Sequence, residues 1–106
     1  MENERRKHQR VKITVPVEIR AEGSNTPIRT ATSDLSLGGC YIENLFPLSK
    51  GTTVELSLQI AVTLLVEGVI ATCDPQVGNG IMFTRMLPED IEELRGFLEV
   101  VTESNS

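Results

Sequence analysis

Alternating hydrophobic and polar residues form the strongest pattern in this 106-residue chain. In residues 11–19 every second residue is β-branched and apolar, and Lys, Thr, Pro and Glu fill the positions between them. A period of two predicts a strand with one face in a core and the other in solvent. Pro16 belongs to the outward set, which indicates a strand edge or a bulge at that point.

Further segments have strand character and are separated by turn residues. They comprise residues 28–34, 40–43, 54–60, 62–73 and 81–84. Gly68, near the middle of the longest segment, predicts a bulge or a strong bend. Asp-Pro at 74–75 opens a turn, and Gly-Asn-Gly at 78–80 predicts another turn with positive φ angles. Several short strands at this spacing predict a small barrel or sandwich.

Only the end of the chain has a helical pattern. Pro88 suits a first helical turn, the acidic residues after it complement the helix dipole, and apolar residues recur at helical spacing up to Val101. We predict an amphipathic helix over about 88–101 that covers an open side of the barrel; a partner-binding helix is the alternative. Residues 1–10 have no periodicity and predict a flexible arm, and residues 102–106 predict a disordered tail. One domain, residues 11–101, lies between them.

Composition places the chain among ordinary globular domains, with 40% hydrophobic and 24% charged residues. Its apolar runs stay well short of the ~20 residues that a membrane-spanning helix needs. The acidic start is unlike a secretory signal. The expectation is therefore a cytoplasmic protein without membrane insertion.

The net charge of −5 is unevenly distributed. Residues 1–12 hold five Lys or Arg against two Glu, giving +3, and residues 13–106 carry −8. A general nucleic-acid binder usually presents a broad basic face. The acidic body would repel DNA or RNA beyond one short patch, so a small anion with two or three charges fits this distribution better.

The basic segment 5–10, Arg-Arg-Lys-His-Gln-Arg, concentrates cationic donors. Planar guanidinium groups match phosphate oxygens and the O6/N7 edge of guanine. The spacing of Arg6 and Arg10, with Arg5 alongside, would let two or three of these groups close around one compact ligand. Taken alone, a basic hexamer is more often a solvated tail.

Residues 34–39, Asp-Leu-Ser-Leu-Gly-Gly, offer complementary chemistry. Asp34 can accept two hydrogen bonds from a guanine Watson–Crick edge, and Ser36 can donate to a phosphate oxygen. Gly38 and Gly39 permit positive φ and close backbone approach. A tight turn between strands favours the same residue types. The basic segment favours a binding loop over a simple turn, because it supplies donors for phosphate and guanine O6/N7 while residues 34–39 supply acceptors for guanine N–H groups.

Enzymatic chemistry finds little support in the chain. Cys40 and Cys73 form no CxxC pair, and with a single His there is no credible metal cluster. The residues include no Ser/His/Asp or Cys/His set, so we expect a protein that is not an enzyme and uses no cofactor. Both cysteines are expected to be small, mostly buried residues on strands.

At these residues the chain resembles the PilZ domain family, bacterial receptor modules for cyclic di-GMP. The family signature is RxxxR followed some twenty to thirty residues later by (D/N)xSxxG, and it matches residues 6–10 and 34–39 here. Residues 66–70 and 78–83 are similar to the later strands of the family, and the resemblance covers roughly residues 4–100. It implies a mainly β fold, a six-stranded antiparallel β-barrel with a C-terminal α-helix.

The resemblance also implies roles for single residues. Arg6 and Arg10 would grip phosphates and the guanine O6/N7 edge, and Asp34 would accept from guanine N1 and N2. Ser36 would meet the phosphate–ribose backbone, while the glycine pair, Gly38 and Gly39, would keep side chains out of the way. An Arg in the position of Arg5 accompanies two intercalated nucleotides in the family, which favours two nucleotides per domain. Residues 68–73 contain no aromatic side chain, so arginines or backbone would have to supply any base stacking.

The implied function is a cyclic di-GMP receptor whose arm becomes ordered over the barrel and changes the surface shown to a partner. The partner would be an effector protein that the sequence does not identify. The alternative is a PilZ-like interaction module that acts without nucleotide. The number of nucleotides and the oligomeric state stay open, with a homodimer among the alternatives.

Overall fold

A computed structural model of the chain describes residues 9–104. It contains six strands and one helix: β1 Pro16–Ala21, β2 Ile28–Leu35, β3 Gly39–Glu43, β4 Thr53–Gln59, β5 Thr63–Asp74, β6 Gly78–Met86 and α1 Pro88–Ser104. Each strand overlaps one of the segments with predicted strand character, and the bounds of β1 and β6 differ from the prediction. The predicted fold class, a mainly β barrel with a C-terminal helix, is confirmed.

The six strands close into one antiparallel barrel in the order β1-β2-β3-β6-β5-β4, with β4 pairing back to β1. Of the two architectures that the strand spacing allows, a barrel or a sandwich, the chain forms the barrel. Closure satisfies the backbone of every strand on both sides. A barrel of six strands is narrow enough for side chains to fill its interior.

The barrel interior is filled by the apolar residues of the alternating pattern. On β4 and β5 the inward side chains are aliphatic, and their immediate neighbours in sequence point outward. The core residues with no more than 2% of their surface exposed are Val15, Ile19, Leu35, Cys40, Ile42, Val54, Leu56, Leu58, Leu64, Val66, Ile70, Ile81 and Leu94. One contiguous core therefore joins all six strands and the helix.

The first strand begins later than the alternation predicts. Residues 11–15 keep the alternating burial, but they lie along β2 without forming a ladder, and β1 starts at Pro16. The buried Thr32 hydroxyl donates to the Ile13 carbonyl at 2.7 Å and accepts from the Val15 amide at 3.0 Å. The Thr32 side chain thus supplements the few backbone hydrogen bonds between this segment and β2. Pro16, which lacks an N–H, occupies the first strand position, where that loss is tolerated.

The turn predicted at residues 78–80 is wrong, because these residues begin β6. The chain reverses at residues 75–77 instead, with a Val77–Asp74 backbone hydrogen bond of 2.9 Å and Gln76 at a φ of 64°. Asn79 is fully buried. Its side-chain oxygen accepts from the backbone N–H of Leu48, and its side-chain nitrogen donates to the Leu48 carbonyl. Gly-Asn-Gly thus forms the start of a strand, and its asparagine holds the loop after β3 against the barrel.

The predicted bend near Gly68 is confirmed. The β5–β6 register shifts between Glu67 and Gly68, and again between Ile70 and Thr72. Such irregularities increase the local twist. They let the 12-residue β5 curve around the barrel.

Helix α1 begins at Pro88, as predicted, and buries Leu94 and Leu98 against the barrel core. The helix continues to Ser104, so the predicted disordered tail is wrong for residues 102–104, where no Gly or Pro interrupts the helix. Residues 105–106 lie outside the described residues. In the part of the chain that the structure describes, no helix combines the length and the apolar character needed to cross a membrane.

Neighbouring leucines on β5 provide a direct test of the inward and outward faces. Leu64 is fully buried and Leu65 is 68% exposed. We expect Leu64→Ala to lower the free energy of unfolding by about 2–5 kcal/mol, because it leaves a cavity in the core. The matched Leu65→Ala should change it by no more than about 0.5 kcal/mol. Denaturant titration followed by circular dichroism measures both, and equal losses would contradict the described register.

Candidate functional site

The N-terminal segment meets the barrel at β2 through one isolated backbone bridge. The Val11 amide donates to the Leu35 carbonyl, and the Leu35 amide donates to the Val11 carbonyl, both at 2.9 Å. Both side chains point into the core, Leu35 completely. The bridge therefore fixes the position of Arg10, the last arginine of the basic segment, beside the start of the Asp-Leu-Ser-Leu-Gly-Gly loop.

Arg10 and Asp34 form an ion pair at this point. Arg10 Nη1 donates to Asp34 Oδ1 at 2.6 Å, with 54% and 27% of the two side chains exposed. A charge-assisted hydrogen bond of this length is strong locally, but solvent screening keeps the net contribution of an exposed pair at about 0–1 kcal/mol. The structure thus brings together one residue from each predicted motif, in a pair that costs little to rearrange.

Ser36 organises the loop from inside. Only 2% of Ser36 is exposed. Its hydroxyl accepts from the amides of Gly38 and Gly39, both at 3.1 Å, and contacts the Gly39 carbonyl at 3.3 Å. The Ser36 amide also donates to that carbonyl at 2.8 Å. The composition therefore does make a tight turn; the predicted contact of Ser36 with a phosphate–ribose backbone stays a prediction.

The glycine pair owes its place to packing between strands. Neither Gly38 nor Gly39 belongs to the residues with positive φ, so the conformational freedom expected from the sequence is not used. A β-carbon on Gly39 would collide with the backbone carbonyl oxygen of Ile81 on β6. The Gly38 carbonyl accepts from the Phe83 amide at 2.9 Å. Both glycines therefore tie the loop to β6, and their contact with a ligand stays a prediction.

Cys40 is fully buried on β3, where it pairs with Leu35, the residue after Asp34. Burial, with a smaller contribution from the Asp34 carboxylate, raises the pKa of the Cys40 thiol to about 12, and the Arg10 guanidinium opposes this shift. The thiol therefore stays protonated and unreactive. Cys73 is half-buried, and neither cysteine is in a disulfide.

Tyr41 is a residue of the site that the sequence pattern does not single out. It pairs with Asp34 across the β2–β3 ladder, so both side chains lie on the outer face. Its hydroxyl donates to Asp74 Oδ2 at 2.7 Å, and this bond, more than burial or nearby charges, raises the pKa of Tyr41 to about 12. The useful sequence signal is the alternation in residues 40–43, where Cys and Ile point inward.

The remaining predicted residues, Arg5 and Arg6, lie outside the described residues, as do residues 1–8 of the predicted arm. The structure therefore assembles Arg10, Asp34, Ser36, Gly38 and Gly39 of the predicted site. Two surface clefts, of about 810 and 340 Å³, are lined by strands β1, β4 and β5, the larger one also by the end of β6 and the start of α1. Neither includes any of these residues.

Sequence comparison assigns most of the chain to one family. The PilZ domain family model matches residues 4–99, which include both motifs. No curated protein matches the chain.

Solved structures of low sequence identity have the same fold. The PilZ domain of CeSA from a cellulose synthesizing bacterium is 21% identical, with a TM-score of 0.69 over 87% of this chain and 97% of that one. The Bacillus subtilis inhibitor of motility, MotI/DgrA, is 16% identical, with a TM-score of 0.74 over 93% of this chain. The match covers 50% of the Bacillus chain, so the present chain spans half of that length.

Removing the Ser36 hydroxyl should destabilise the protein without any ligand present. Ser36→Ala leaves two backbone amides without their acceptor, so we expect a loss of about 1–3 kcal/mol in the free energy of unfolding. Ser57→Ala, a half-buried serine of β4, should cost no more than about 0.5 kcal/mol. Denaturant titrations of both variants check this, and a neutral Ser36→Ala would show that the hydroxyl does not hold the turn.

The raised pKa of Tyr41 can be read directly, because it is the only tyrosine and the chain has no tryptophan. The Asp74 carboxylate favours the protonated phenol, so deprotonation should occur near pH 12 rather than 10. The contribution of this bond to stability is then present below about pH 10 and lost as the pH rises through about 12. Ultraviolet absorption against pH measures the tyrosinate.

Asp74→Ala should return the pKa of Tyr41 towards 10, because it removes both the hydrogen bond and the charge. Glu43→Gln, the control, removes only a minor charge effect and should lower the pKa much less. Equal shifts in the two variants would contradict the assigned bond.

Proposed function

This chain belongs to the PilZ domain family, and from that membership we propose that it is a receptor for cyclic di-GMP. Domains of this family are known cyclic di-GMP receptors and adaptors that bind and do not catalyse. The observation that carries the proposal is the 2.6 Å pair between Arg10 and Asp34, because it joins the two motifs at one point on the surface.

The Arg10–Asp34 pair offers the ligand a donor and an acceptor side by side. Guanidinium can pair with two phosphate oxygens or with O6 and N7 of guanine, and carboxylate can accept from guanine N1 and N2. Since the pair is more than a quarter exposed at both ends, opening it costs little. A ligand that satisfies both groups at once can therefore displace the direct contact.

Arg5 and Arg6 add charge from the N-terminal side. Arg6 precedes Arg10 by four residues, a span of at most about 14 Å, so its guanidinium group can reach the same ligand. In our proposal the ligand draws this segment over the barrel, and the charge-assisted bonds offset the entropy lost on ordering. Arg5 would stack on a base and favour two nucleotides per domain.

Ser36, Gly38 and Gly39 serve this site by holding the loop in shape. The hydroxyl of Ser36 is engaged inside the turn, and Gly39 packs against β6. A loop held by buried contacts presents Asp34 in one orientation before the ligand arrives. Preorganisation of this kind lowers the entropic cost of binding.

The acidic body makes the site selective for small anions. Residues 13–106 carry a net charge of −8, which repels DNA and RNA at distances where a single dinucleotide is still attracted to the basic segment. We propose that the liganded surface is then read by an effector protein.

The alternative is an interaction module that contacts its partner without nucleotide. It is favoured by exposed apolar residues near the loop after β3 and the turn before β6: Leu45, Phe46 and Val77. Contiguous exposed apolar patches are a common feature of protein contacts. A pull-down whose yield ignores added cyclic di-GMP would favour this alternative over the receptor.

Isothermal titration calorimetry with cyclic di-GMP tests the receptor and its site together. We expect the wild type to bind, and Arg6→Ala, Arg10→Ala and Asp34→Ala each to weaken binding by about tenfold or more, because each removes charge-assisted bonds. Arg95→Ala is the control, since Arg95 lies on α1 and pairs with Glu92. The same titration gives the number of nucleotides per domain.

Two outcomes would contradict the proposal at different levels. A wild type that releases no heat and shows no binding would overturn the receptor function. A wild type that binds, with unaltered affinity in the three site variants, would overturn the site assignment alone. Chromatography of the incubated nucleotide should recover it unchanged.

A further inference from the structure

Tyr41 places an aromatic side chain on the outer surface beside Asp34. The two residues are direct partners across the β2–β3 ladder, and the next pair, Leu35 and Cys40, is fully buried. Directly opposite residues of an antiparallel pair have β-carbons about 5 Å apart on the same face. The carboxylate and the aromatic side chain therefore start from neighbouring points of one surface.

The Tyr41 ring is laid across the barrel instead of projecting from it. Its hydroxyl reaches Asp74 on β5, two strands away from β3, with β6 between them. On β6 the residue opposite Tyr41 is Gly80, and the Tyr41 Cδ1 atom lies 3.7 Å from the position that a β-carbon on Gly80 would take. A glycine at this point leaves the surface flat, so the ring can cross it.

Tyr41 is thus held at both ends. The backbone of β3 fixes one end, and the 2.7 Å hydrogen bond to Asp74 fixes the other. An aromatic ring with two side-chain torsions and a bonded hydroxyl loses little further entropy when a flat ligand covers it. The side chain is half-buried, so part of the ring is open to solvent.

We propose that Tyr41 is the stacking platform for a guanine base whose edge is recognised by Asp34. This inference rests on the proposed function, since it names a further contact of the same site. Asp34 has Arg10 as its ion-pair partner and Tyr41 as its ladder partner. One base can then meet a carboxylate at its edge and a ring at its face, while the guanidinium group meets a phosphate.

This arrangement supplies base stacking that residues 68–73, which have no aromatic side chain, do not provide. Base–aromatic stacking tolerates any base, because every base has a π-face. Tyr41 should therefore add affinity, and the carboxylate of Asp34 should add the preference for guanine.

Calorimetry with cyclic di-GMP on three variants separates the ring from its hydroxyl. Tyr41→Phe keeps the ring and should bind within about threefold of the wild type. Tyr41→Leu keeps an apolar cover over Gly80 but loses the π-face, and it should bind about tenfold or more weakly. Phe46→Leu is the control, since it also replaces an aromatic ring by leucine, at a side chain that is 85% exposed in the loop after β3. Its affinity should equal that of the wild type.

A second measurement on the unaltered protein covers the case in which Tyr41→Leu does not fold. Tyr41 is the only tyrosine, so its ring protons are assigned at once in a proton NMR spectrum. A stacked guanine should move them upfield as cyclic di-GMP is added. Adding GMP at equal base concentration controls for transient contact and should produce a much smaller shift.

The outcomes distinguish this inference from the function on which it depends. A wild type that does not bind would overturn the receptor and the platform together. A wild type that binds while the Tyr41 resonances stay in place, or a folded Tyr41→Leu that binds like the wild type, would overturn the platform and leave the receptor intact. Weak binding by Tyr41→Leu together with an upfield shift in the wild type supports stacking over a structural role.

Discussion

Two backbone hydrogen bonds between Val11 and Leu35 decide where the charges of this protein meet. They attach the chain to β2 ahead of the first full strand, and the buried Thr32 hydroxyl holds the segment that follows. Without this attachment Arg10 would belong to a tail with no defined neighbour. With it, the Arg10 guanidinium group lies against the Asp34 carboxylate, so a ligand that contacts one of these groups also lies close to the other.

The sequence predicts most of the fold because its periodicity is simple. Residues 54–60 alternate strictly, and a one-residue slip would expose every core side chain of that strand, so its faces have one solution. Residues 11–15 alternate equally well, yet part of their hydrogen bonding is to the Thr32 hydroxyl, which no periodicity reveals. At residues 78–80, Gly-Asn-Gly is compatible both with a turn and with a closely packed strand. The two can be told apart only by the pairing with Tyr41 and Ile42 on β3, which the sequence does not reveal.

The candidate site is predictable to the level of its motifs and not of its contacts. Asp34 and Arg10 carry complementary chemistry that the sequence displays openly, and they do meet. Ser36 also has the chemistry for ligand contact, but its hydroxyl accepts hydrogen bonds from the Gly38 and Gly39 amides inside the turn. Tyr41 enters the site only through the strand register, a non-local property that the order of residues does not contain. Motif spacing therefore identifies candidate side chains for one site, and the strand register determines which of them face outward.

Closure of the barrel limits how the proposed receptor could transmit a signal. Each of the six described strands is paired on both sides, so a partner cannot attach by extending the sheet. A rigid ring also has few ways to change its own shape, because moving one strand means breaking two ladders. In the proposed receptor, the signal would therefore be a change of surface shape and charge around the N-terminal attachment. The closed barrel would then act as a rigid scaffold, and a bound ligand would change only the few surface residues that the scaffold holds in place.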